Sequence, residues 1–266
     1  MTNTVRTVGR EERSIEIKSG KEIESLRAAG RLAAGLLEAV CAQVKPGVTT
    51  DTLDQVAAAW IKSHGARPAF LNYRGFPKTI CISVNDEVVH GIPGPRKLIE
   101  GDIVGVDVGL VLAGWCGDTA RTVPVGRISA DAQRLLDVSR RSLDESILAA
   151  QAGKRLGDIS HAMQSVAESN GYAVVRDYGG HGIGRALHED PHVPCLGKPG
   201  TGLRLSPGLV LALEVMVNAG TFEVSHKPDG WTVLTKDGSL SAHFEHMVAI
   251  TDKGTEILTQ VEELKS

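Results

Sequence analysis

Four acidic residues stand inside apolar segments that are typical of buried β-strands. Asp107 lies in VGVDVG and Glu214 in LALEVMV, while Asp118 and Glu245 lie in WCGDTART and SAHFEHMVAI. Carboxylates are depleted from strands and are almost never fully buried without a partner. An isolated buried carboxylate costs several kcal/mol or stays protonated. The sequence therefore requires a group that compensates these four charges.

A divalent cation is the group that best compensates this set. Arg121 follows Asp118 closely, but one arginine cannot neutralise four acids. His181, in YGGHGIGRALHEDP, adds an imidazole framed by glycines, which let the backbone approach closely. This glycine-rich run lacks the spacing and the preceding strand of a dinucleotide-binding loop. Carboxylates with imidazole suit Mn, Fe, Co or Zn. Two such ions would balance four carboxylates and activate a shared water for hydrolysis.

An internal repeat indicates how the chain positions these residues. The segments 47–65 and 153–171 have the same apolar spacing, which is that of an amphipathic helix, and each ends at a glycine. An acid also stands six positions after a glycine in two later apolar runs. The pattern predicts a duplicated α/β unit with halves near residues 15–125 and 128–260. The alternative is the weak self-similarity that all helix–strand proteins have.

Each half is predicted to contribute two strands that carry acids. Residues 103–108 and 115–122 flank the turn-prone GLVLAG, which predicts a hairpin that carries the two aspartates. Residues 209–218 and 241–250 are strand-like and carry the two glutamates. The expected fold class is therefore α/β, with an α+β arrangement of helices and paired strands.

Composition excludes several classes of protein. The chain of 266 residues is 42 % hydrophobic and 23 % charged, with a net charge of -3, which gives no footprint for specific nucleic-acid binding. Residues 1–14 form an expected N-terminal tail without a secretory signal, ahead of a single domain over 15–266, and no segment is predicted to enter a membrane. The chain has four widely spaced cysteines, Cys41, Cys81, Cys116 and Cys195. Their spacing predicts reduced thiols and a cytoplasmic location.

From about Ile15 onward the chain resembles the type I methionine aminopeptidases in their short bacterial form. The motifs that carry the resemblance are NYRGFPKTICISVNDEVVHGIPG, GDIVGVDVG, GWCGDTART, YGGHGIGRALHEDP, LALEVMV and SAHFEHMVAITDKG. The resemblance implies the pita-bread fold, in which two pseudo-symmetric α/β halves surround a dinuclear metal site. It also implies removal of the initiator methionine from nascent proteins when the second residue is small, by a metal-bridging hydroxide.

The resemblance also implies a ligand set for two divalent ions, with Co, Mn, Fe, Zn or Ni as candidates. Asp118 and Glu245 would bridge the ions, His181 and Glu214 would complete one, and Asp107 would chelate the other. A monovalent cation is expected near two further residues, Asn85 and Ser241.

The same resemblance assigns catalytic and substrate-binding roles. His90 is expected near the scissile nitrogen, His188 is expected to donate to the developing oxyanion, and Glu214 would shuttle the proton. The residues expected to contact the substrate are His90, His188, Tyr73, Phe76, Cys81, Leu187 and Trp231.

Two departures from the family pattern bear on the pocket. Val215 stands where proline usually follows the ligand glutamate, which removes a backbone restriction and predicts a looser strand. Leu187 stands where phenylalanine is usual, which changes the shape of the pocket. We also expect the chain to lack the cysteine/histidine-rich N-terminal extension of some relatives, and its spacing from His188 to Glu214 is too short for the insertion of type II enzymes.

The expected partners are the N-terminal methionine peptides of nascent proteins, with a transient ribosome contact, for a chain that acts as a monomer. Two alternatives remain open. The first is another pita-bread aminopeptidase of the X-Pro type, against which the short chain argues. The second is a non-enzymatic binding protein of the same fold, against which the five filled ligand positions argue.

Overall fold

A computed structural model describes residues 4–5 and 15–260. Most of the predicted tail over residues 1–14 therefore lies outside the described residues. Four α-helices are described, namely α1 (Gly20–Cys41), α2 (Thr50–Ser63), α3 (Ala130–Ala149) and α4 (Leu156–Ser169). In addition, a short 3-10 helix covers Tyr73–Gly75.

The described strands are β1 (Thr4–Val5), β2 (Ile15–Glu16), β3 (Arg67–Pro68), β4 (Cys81–Val84), β5 (Glu87–Val89), β6 (Ile103–Leu112), β7 (Trp115–Pro124), β8 (Ala173–Val174), β9 (Gly179–Gly182), β10 (Glu189–Pro194), β11 (Val210–Asn218), β12 (Val224–His226), β13 (Val233–Thr235), β14 (Ser241–Thr251) and β15 (Gly254–Ile257). Ten of them form one sheet, whose main path runs β10-β9-β11-β14-β7-β6-β3. Three others form a small sheet in the order β12-β13-β5. The strand pairs within these sheets are antiparallel.

The two long helices begin at serine caps and cover the sheet. Ser19 and Glu22 form a capping box that starts α1, and Ser129 accepts the Ala132 N–H to start α3. Helix α1 packs on β6 and β7, and α3 packs on β11 and β14. The helix α2 packs beside α1, and α4 packs beside α3. A helix pair over a strand pair thus occurs twice along the chain.

The predicted helices and strands of the repeat are present. The segment 47–65 contains α2 and the segment 153–171 contains α4, as predicted. The strands predicted over 209–218 and 241–250 are β11 and β14. The α/β fold class is confirmed. None of the helices over residues 15–260 has the length and apolar character needed to cross a bilayer.

The predicted hairpin is present, but its turn is shorter than GLVLAG. Strands β6 and β7 stay paired up to Leu112 and Trp115, so the turn consists of Ala113 and Gly114 alone. Both turn residues have positive φ, 49° and 83°, as a tight hairpin turn requires. Gly109 lies within strand β6 instead. A β-carbon at this position would lie 2.3 Å from the ring of Phe70. Close packing explains this glycine.

Candidate metal centre

One row of residues crosses the centre of the large sheet. Ala120 on β7 lies opposite Asp107 on β6 and also opposite Glu245 on β14. Glu245 in turn lies opposite Glu214 on β11. Directly opposite residues of antiparallel strands point to the same face. The three carboxylates therefore share one face, and the small side chain of Ala120 leaves room between them.

Asp118 and His181 reach this face from adjacent positions. Asp118 stands two residues before Ala120 on β7, and strand alternation places both side chains on one side. His181 on β9 lies opposite Ala212, which stands two residues before Glu214 on β11. The register of the central strands therefore brings the five predicted metal ligands to one place.

The ligand atoms of Asp118, His181 and Glu245 all lie within 4.8 Å of one another, which is close enough to share a cation. His181 Nε2 lies 3.9 Å from Asp118 Oδ2 and 4.0 Å from Glu214 Oε1. On the other side of the ring, Nδ1 lies 2.9 Å from the carbonyl oxygen of Gly182. Because a carbonyl only accepts, Nδ1 carries the proton and Nε2 keeps a lone pair directed at the acids.

Three carboxylate oxygens in the centre lack a hydrogen-bond donor. These oxygens are Asp107 Oδ1, Asp118 Oδ1 and Glu245 Oε1. Each is buried and has no hydrogen-bond partner among the described residues. Leaving a buried charged acceptor unsatisfied costs more than about 1–3 kcal/mol for each group. Oxygen ligands of this kind, beside one neutral imidazole, fit a divalent cation.

Electrostatics supports the same assignment. Burial raises the pKa of Asp118 and Glu245 well above the ordinary carboxyl value, and repulsion from neighbouring carboxylates adds to the effect. Burial also raises the pKa of Asp107 to about 7. The protein groups alone therefore disfavour the ionised acids, whereas a bound cation favours them.

Glu214 differs from the other three acids because it has a side-chain hydrogen-bond donor. His243 Nε2 lies 3.0 Å from Glu214 Oε2. Burial by itself would raise the pKa of Glu214, but the His243 hydrogen bond and the nearby imidazoles lower it below the ordinary value. His243 is not among the site residues predicted from the sequence. The available signal was its position two residues before Glu245 in a strand, which places both side chains on one face.

The two predicted catalytic histidines also border the centre. His188 Nδ1 lies 2.8 Å from the Tyr73 hydroxyl, and its ring centroid lies 4.2 Å from that of His181. Burial lowers the pKa of His188 to about 4, so its imidazole is neutral at pH 7. His90 follows β5 with a positive φ of 59°, and its ring meets Tyr178 edge-on with centroids 5.6 Å apart. Burial lowers the pKa of His90 as well.

The acids open onto a cavity of about 290 Å³ that also contains the predicted substrate-binding residues. Phe76 and Trp231 meet edge-to-face there, with ring centroids 5.2 Å apart. Cys81 lies opposite Asp107 in the register, and burial raises the pKa of its thiol well above the ordinary value. The structure brings the following predicted residues to this one cavity: Tyr73, Phe76, Cys81, His90, Leu187, His188 and Trp231.

A larger open groove of about 960 Å³ lies between α1 and α3, away from the acids. Two ion pairs join charged residues of its lining, Arg121 with Glu38 at 2.8 Å and Arg27 with Glu256. None of the predicted site residues lines it. The smaller cavity is therefore the candidate active site.

The remaining predictions concern Asn85, Ser241 and Val215. The Ser241 N–H donates to the Asn85 carbonyl oxygen at 2.9 Å, so the two residues predicted to flank a monovalent cation are adjacent. Asn85 also receives the Ile103 N–H on its side-chain oxygen at 3.0 Å. Val215 is fully buried and pairs with Phe244 in an uninterrupted register, so the prediction of a looser strand at Val215 is wrong.

Comparison with known proteins places the chain in a family. The model of metallopeptidase family M24 matches residues 24–252. Methionine aminopeptidase 1 of Bacillus subtilis is 50 % identical over 244 residues, which cover 92 % of this chain and 98 % of that protein. The methionine aminopeptidase of Clostridium acetobutylicum is also 50 % identical, over 93 % of this chain and 100 % of its own length.

Solved structures agree with this placement. The crystal structure of methionine aminopeptidase from Rickettsia prowazekii matches with a TM-score of 0.91 at 47 % identity, over 92 % of this chain and 100 % of that chain. The prolidase from Pyrococcus furiosus shares the fold alone, with a TM-score of 0.75 at 20 % identity, and this chain covers 66 % of it. The predicted pita-bread fold is confirmed. The chain belongs to metallopeptidase family M24 and, within it, to the methionine aminopeptidases, metal-dependent hydrolases that remove N-terminal methionine.

Proposed function

We propose that the chain removes the initiator methionine from nascent proteins whose second residue is small, with two divalent ions held by five ligands, Asp107, Asp118, His181, Glu214 and Glu245. The observation that carries the proposal is the set of buried, donorless carboxylate oxygens beside a cavity lined with aromatic rings. About 50 % identity to methionine aminopeptidases supports the reaction itself.

Charge balance favours two ions over one. Four carboxylates carry four negative charges, and His181 is neutral with a lone pair on Nε2. Asp118 and Glu245 lie at the middle of the set and would be shared by the two ions, while His181 and Glu214 would hold one ion and Asp107 the other. Co, Mn, Fe, Zn and Ni all suit this donor set, and availability decides among them.

When bound, the ions supply Lewis acidity that activates water and polarises the scissile carbonyl group. Glu214 stays ionised at neutral pH because its pKa is held low, so it can accept the proton from the attacking water. His188 is neutral at that pH. With the Tyr73 hydroxyl donating to Nδ1, the proton of the His188 ring stands on Nε2, where it can donate to the carbonyl oxygen as negative charge develops.

The shape of the cavity supports a preference for methionine. A methionine side chain is long, unbranched and polarisable, and its thioether packs favourably against aromatic edges. Tyr73, Phe76 and Trp231 supply such edges, while Leu187 and the neutral thiol of Cys81 complete the apolar lining. Crowding beside the acids favours a small second residue, such as Ala, Gly or Ser.

We propose further that residues 15–266 act as a single domain of two related halves, as a monomer in the cytoplasm. The substrates would be N-terminal methionine peptides, met during transient contact with the ribosome. A monovalent cation would bind near Asn85 and Ser241, since the Asn85 carbonyl oxygen keeps a second lone pair beyond its bond to the Ser241 N–H.

The test is a peptide-cleavage assay on metal-stripped protein with each divalent ion added back separately. We expect no cleavage of Met-Ala-Ser without metal, recovery with at least one ion, and saturation at two ions per chain by titration. Faster cleavage of an X-Pro peptide than of Met-Ala-Ser would favour the X-Pro alternative. Absence of cleavage with every ion, despite stoichiometric metal binding, would favour the non-enzymatic alternative.

A further inference from the structure

His243 is a buried histidine on the active-site face that the proposed reaction does not use. It stands on β14 opposite Met216 of β11, two residues along each strand from the opposed glutamates Glu245 and Glu214. Strand alternation therefore places His243 diagonally across from Glu214 on the same face. The contact is direct, since Nε2 lies 3.0 Å from Glu214 Oε2. His243 is only 4 % exposed, so the contact is sheltered from water.

The direction of this hydrogen bond follows from the chemistry of its acceptor. An ionised carboxylate only accepts, so the proton stands on His243 Nε2. Hydrogen bonds to ionised groups are about twice as strong as neutral ones, and burial strengthens them further. Among the described imidazoles that line the cavity, His243 alone lies within hydrogen-bond distance of Glu214.

The backbone of His243 is held firmly on both sides. Its N–H donates to Thr122 Oγ1 at 2.8 Å, and its carbonyl oxygen accepts from the same hydroxyl at 3.0 Å. On the opposite side, β14 pairs with β11 without interruption over nine residue pairs. The imidazole is therefore presented from a fixed point of the sheet, and it can act as a rigid anchor for a neighbouring side chain.

The anchor sets the orientation of the Glu214 carboxylate toward His181. With Oε2 bound to His243, Oε1 is the oxygen directed at His181, 4.0 Å from Nε2. Without the donor, repulsion from Asp118 and Glu245 would favour other rotamers of Glu214, because those carboxylates lie on the same face. A ligand that leaves its rotamer loses affinity for the ion it helps to hold.

We propose that His243 is a positioning residue, which acts through Glu214 by fixing the orientation of its carboxylate for metal binding and proton transfer. The proposal rests on the proposed function of Glu214. It also explains why this acid, unlike the other three, has a side-chain donor. The required feature is an N–H at the Nε2 position, and the charge of the ring is not needed.

Three substitutions separate the donor from the bulk of the side chain. The amide of His243→Gln places an N–H near the position of Nε2, whereas that of His243→Asn places it near Nδ1, out of reach of Glu214. His243→Leu keeps comparable volume without any donor. Changes in residues that support metal ligands typically cost 10–100-fold in metal affinity or activity. We therefore expect His243→Leu and His243→Asn to lose about 10–100-fold in kcat, with little change in KM, and His243→Gln to keep most of the activity.

Two readouts other than activity test the same idea. Titration of metal-stripped protein with Co²⁺ alone should show weaker binding in the Leu and Asn variants than in the Gln variant. The visible absorption of bound Co²⁺ should change in the same order, since it reports the ligand geometry. Thermal unfolding of the metal-free variants measures any loss of folding, and the comparison of Gln with Asn still discriminates if the Leu variant fails to fold.

The outcomes separate this inference from the proposed function. Equal Co²⁺ affinity and kcat in the wild-type protein and the Asn variant would overturn the positioning role while the aminopeptidase reaction stands. Equal impairment of the Gln and Asn variants, with unchanged unfolding temperatures, would overturn it too. Failure of the wild-type protein to cleave Met-Ala-Ser with any ion would instead contradict the proposed function.

Discussion

Glu245 on β14 stands directly opposite Glu214 on β11, so that two acidic side chains share one rung of the antiparallel ladder. Like charges in directly opposite positions destabilise a sheet. Ala120 then separates Glu245 from a third acid, Asp107, along the same row. Such an arrangement is stable with ionised side chains when cations lie among them, and the first prediction depends on it.

Substitution of a bridging acid should abolish both metal binding and turnover. In Glu245→Gln the volume is kept and one negative charge is lost, so we expect cleavage of Met-Ala-Ser to fall below detection. The metal-free variant should unfold at the same temperature as the wild-type protein or higher, because a repulsive buried carboxylate is removed. Steady-state kinetics, Co²⁺ titration and calorimetry measure these effects.

The matched control is Glu223→Gln, an exposed acid paired with Lys236 at 2.8 Å. It should change neither activity nor metal binding. Asp118→Ala should behave like the Glu245 variant. Full activity in the Glu245 variant, or in exhaustively chelated wild-type protein, contradicts the metal assignment.

His188→Ala should lower kcat far more than it raises KM. A donor directed at a developing oxyanion acts mainly in the transition state, and its loss costs ~10²–10³ in rate. Tyr73→Phe removes the hydroxyl 2.8 Å from His188 Nδ1 and should cost about two- to tenfold in kcat, the value of one hydrogen bond. An unchanged kcat with a raised KM in the His188 variant would instead assign it to substrate binding.

The row of acids across the sheet can be predicted from the sequence, because side chains along a strand alternate between its two faces. Asp107 and Glu214 are recognisable as charged residues inside apolar runs. Once the strands that carry them are paired, the strand register brings their side chains to one face. The same alternation places His243 on the face of Glu245, two residues away, and this spacing is the one signal that the sequence carries for His243. The capping box of Ser19 with Glu22 could likewise have predicted the start of α1.

Other features depend on contacts between distant segments and carry no local signal. The sequence predicts Gly109 as a turn residue, but in the structure it packs against Phe70, some forty positions earlier in the chain. The hydrogen bond of Tyr73 to His188 joins the 3-10 helix to the segment before β10. Such pairs can be predicted from a family resemblance, but the residue types alone do not reveal them.

Lys18→Met should destabilise the protein by breaking a partly buried ion-pair network. The side chain of Lys18 is 3 % exposed, and its ammonium lies 2.6 Å from both Glu16 Oε2 and Glu189 Oε2. Of the two carboxylates, Glu189 is 15 % exposed and Glu16 is 58 % exposed, so only Glu189 would stay largely buried without its charged partner, at a cost of about 1–3 kcal/mol. Urea denaturation at pH 7 should show this loss in the free energy of unfolding.

The control for this network is Lys236→Met. Its ion pair with Glu223 is exposed, so less than about 1 kcal/mol should be lost. Glu189 also accepts the Ala186 N–H at 3.2 Å, close to Leu187 and His188. The Lys18 variant should therefore lose activity below its unfolding temperature. Equal stability of the two lysine variants would contradict the network's role.

His246 should make the metal-free protein less stable in acid. Burial lowers its pKa to about 4, from an ordinary value near 6.5, so the unfolded chain binds the proton more tightly than the folded one. Stability due to the neutral ring is therefore present above about pH 6.5 and is lost as the pH falls towards 4. The full loss is at most roughly 3 kcal/mol, since the ring is partly exposed.

His246→Asn isolates this contribution from that of the other histidines. Asparagine can keep the hydrogen bond that Nδ1 makes with Thr259 Oγ1 at 2.8 Å, but it does not titrate. The difference in unfolding free energy between variant and wild-type protein should therefore shift in favour of the variant between pH 7 and pH 4.5. A difference that is constant with pH would show that His246 titrates alike in both states.

The last prediction concerns the wall of the cavity at Leu187. Leu187 is 6 % exposed and lines the cavity beside Tyr73, Phe76 and Trp231. Since an aromatic residue is usual at this position in the family that the chain resembles, we expect leucine to leave one wall less tightly packed. The wild-type protein should then cleave peptides with another unbranched first residue, such as norleucine, better than Leu187→Phe does. Both proteins should still exclude β-branched or charged first residues. The change in an apolar pocket should be worth only about 1–3 kcal/mol of discrimination. The measurement is kcat/KM on X-Ala-Ser tripeptides with X varied, followed by Met-X-Ser with the second residue varied, for both proteins. The methionine preference would be contradicted if the wild-type protein cleaved peptides with Leu, Arg or Pro at the first position as well as those with Met. The metal-dependent aminopeptidase reaction would still stand. Identical kcat/KM values for all substrates in Leu187→Phe would show instead that the other aromatic rings of the cavity set the preference by themselves.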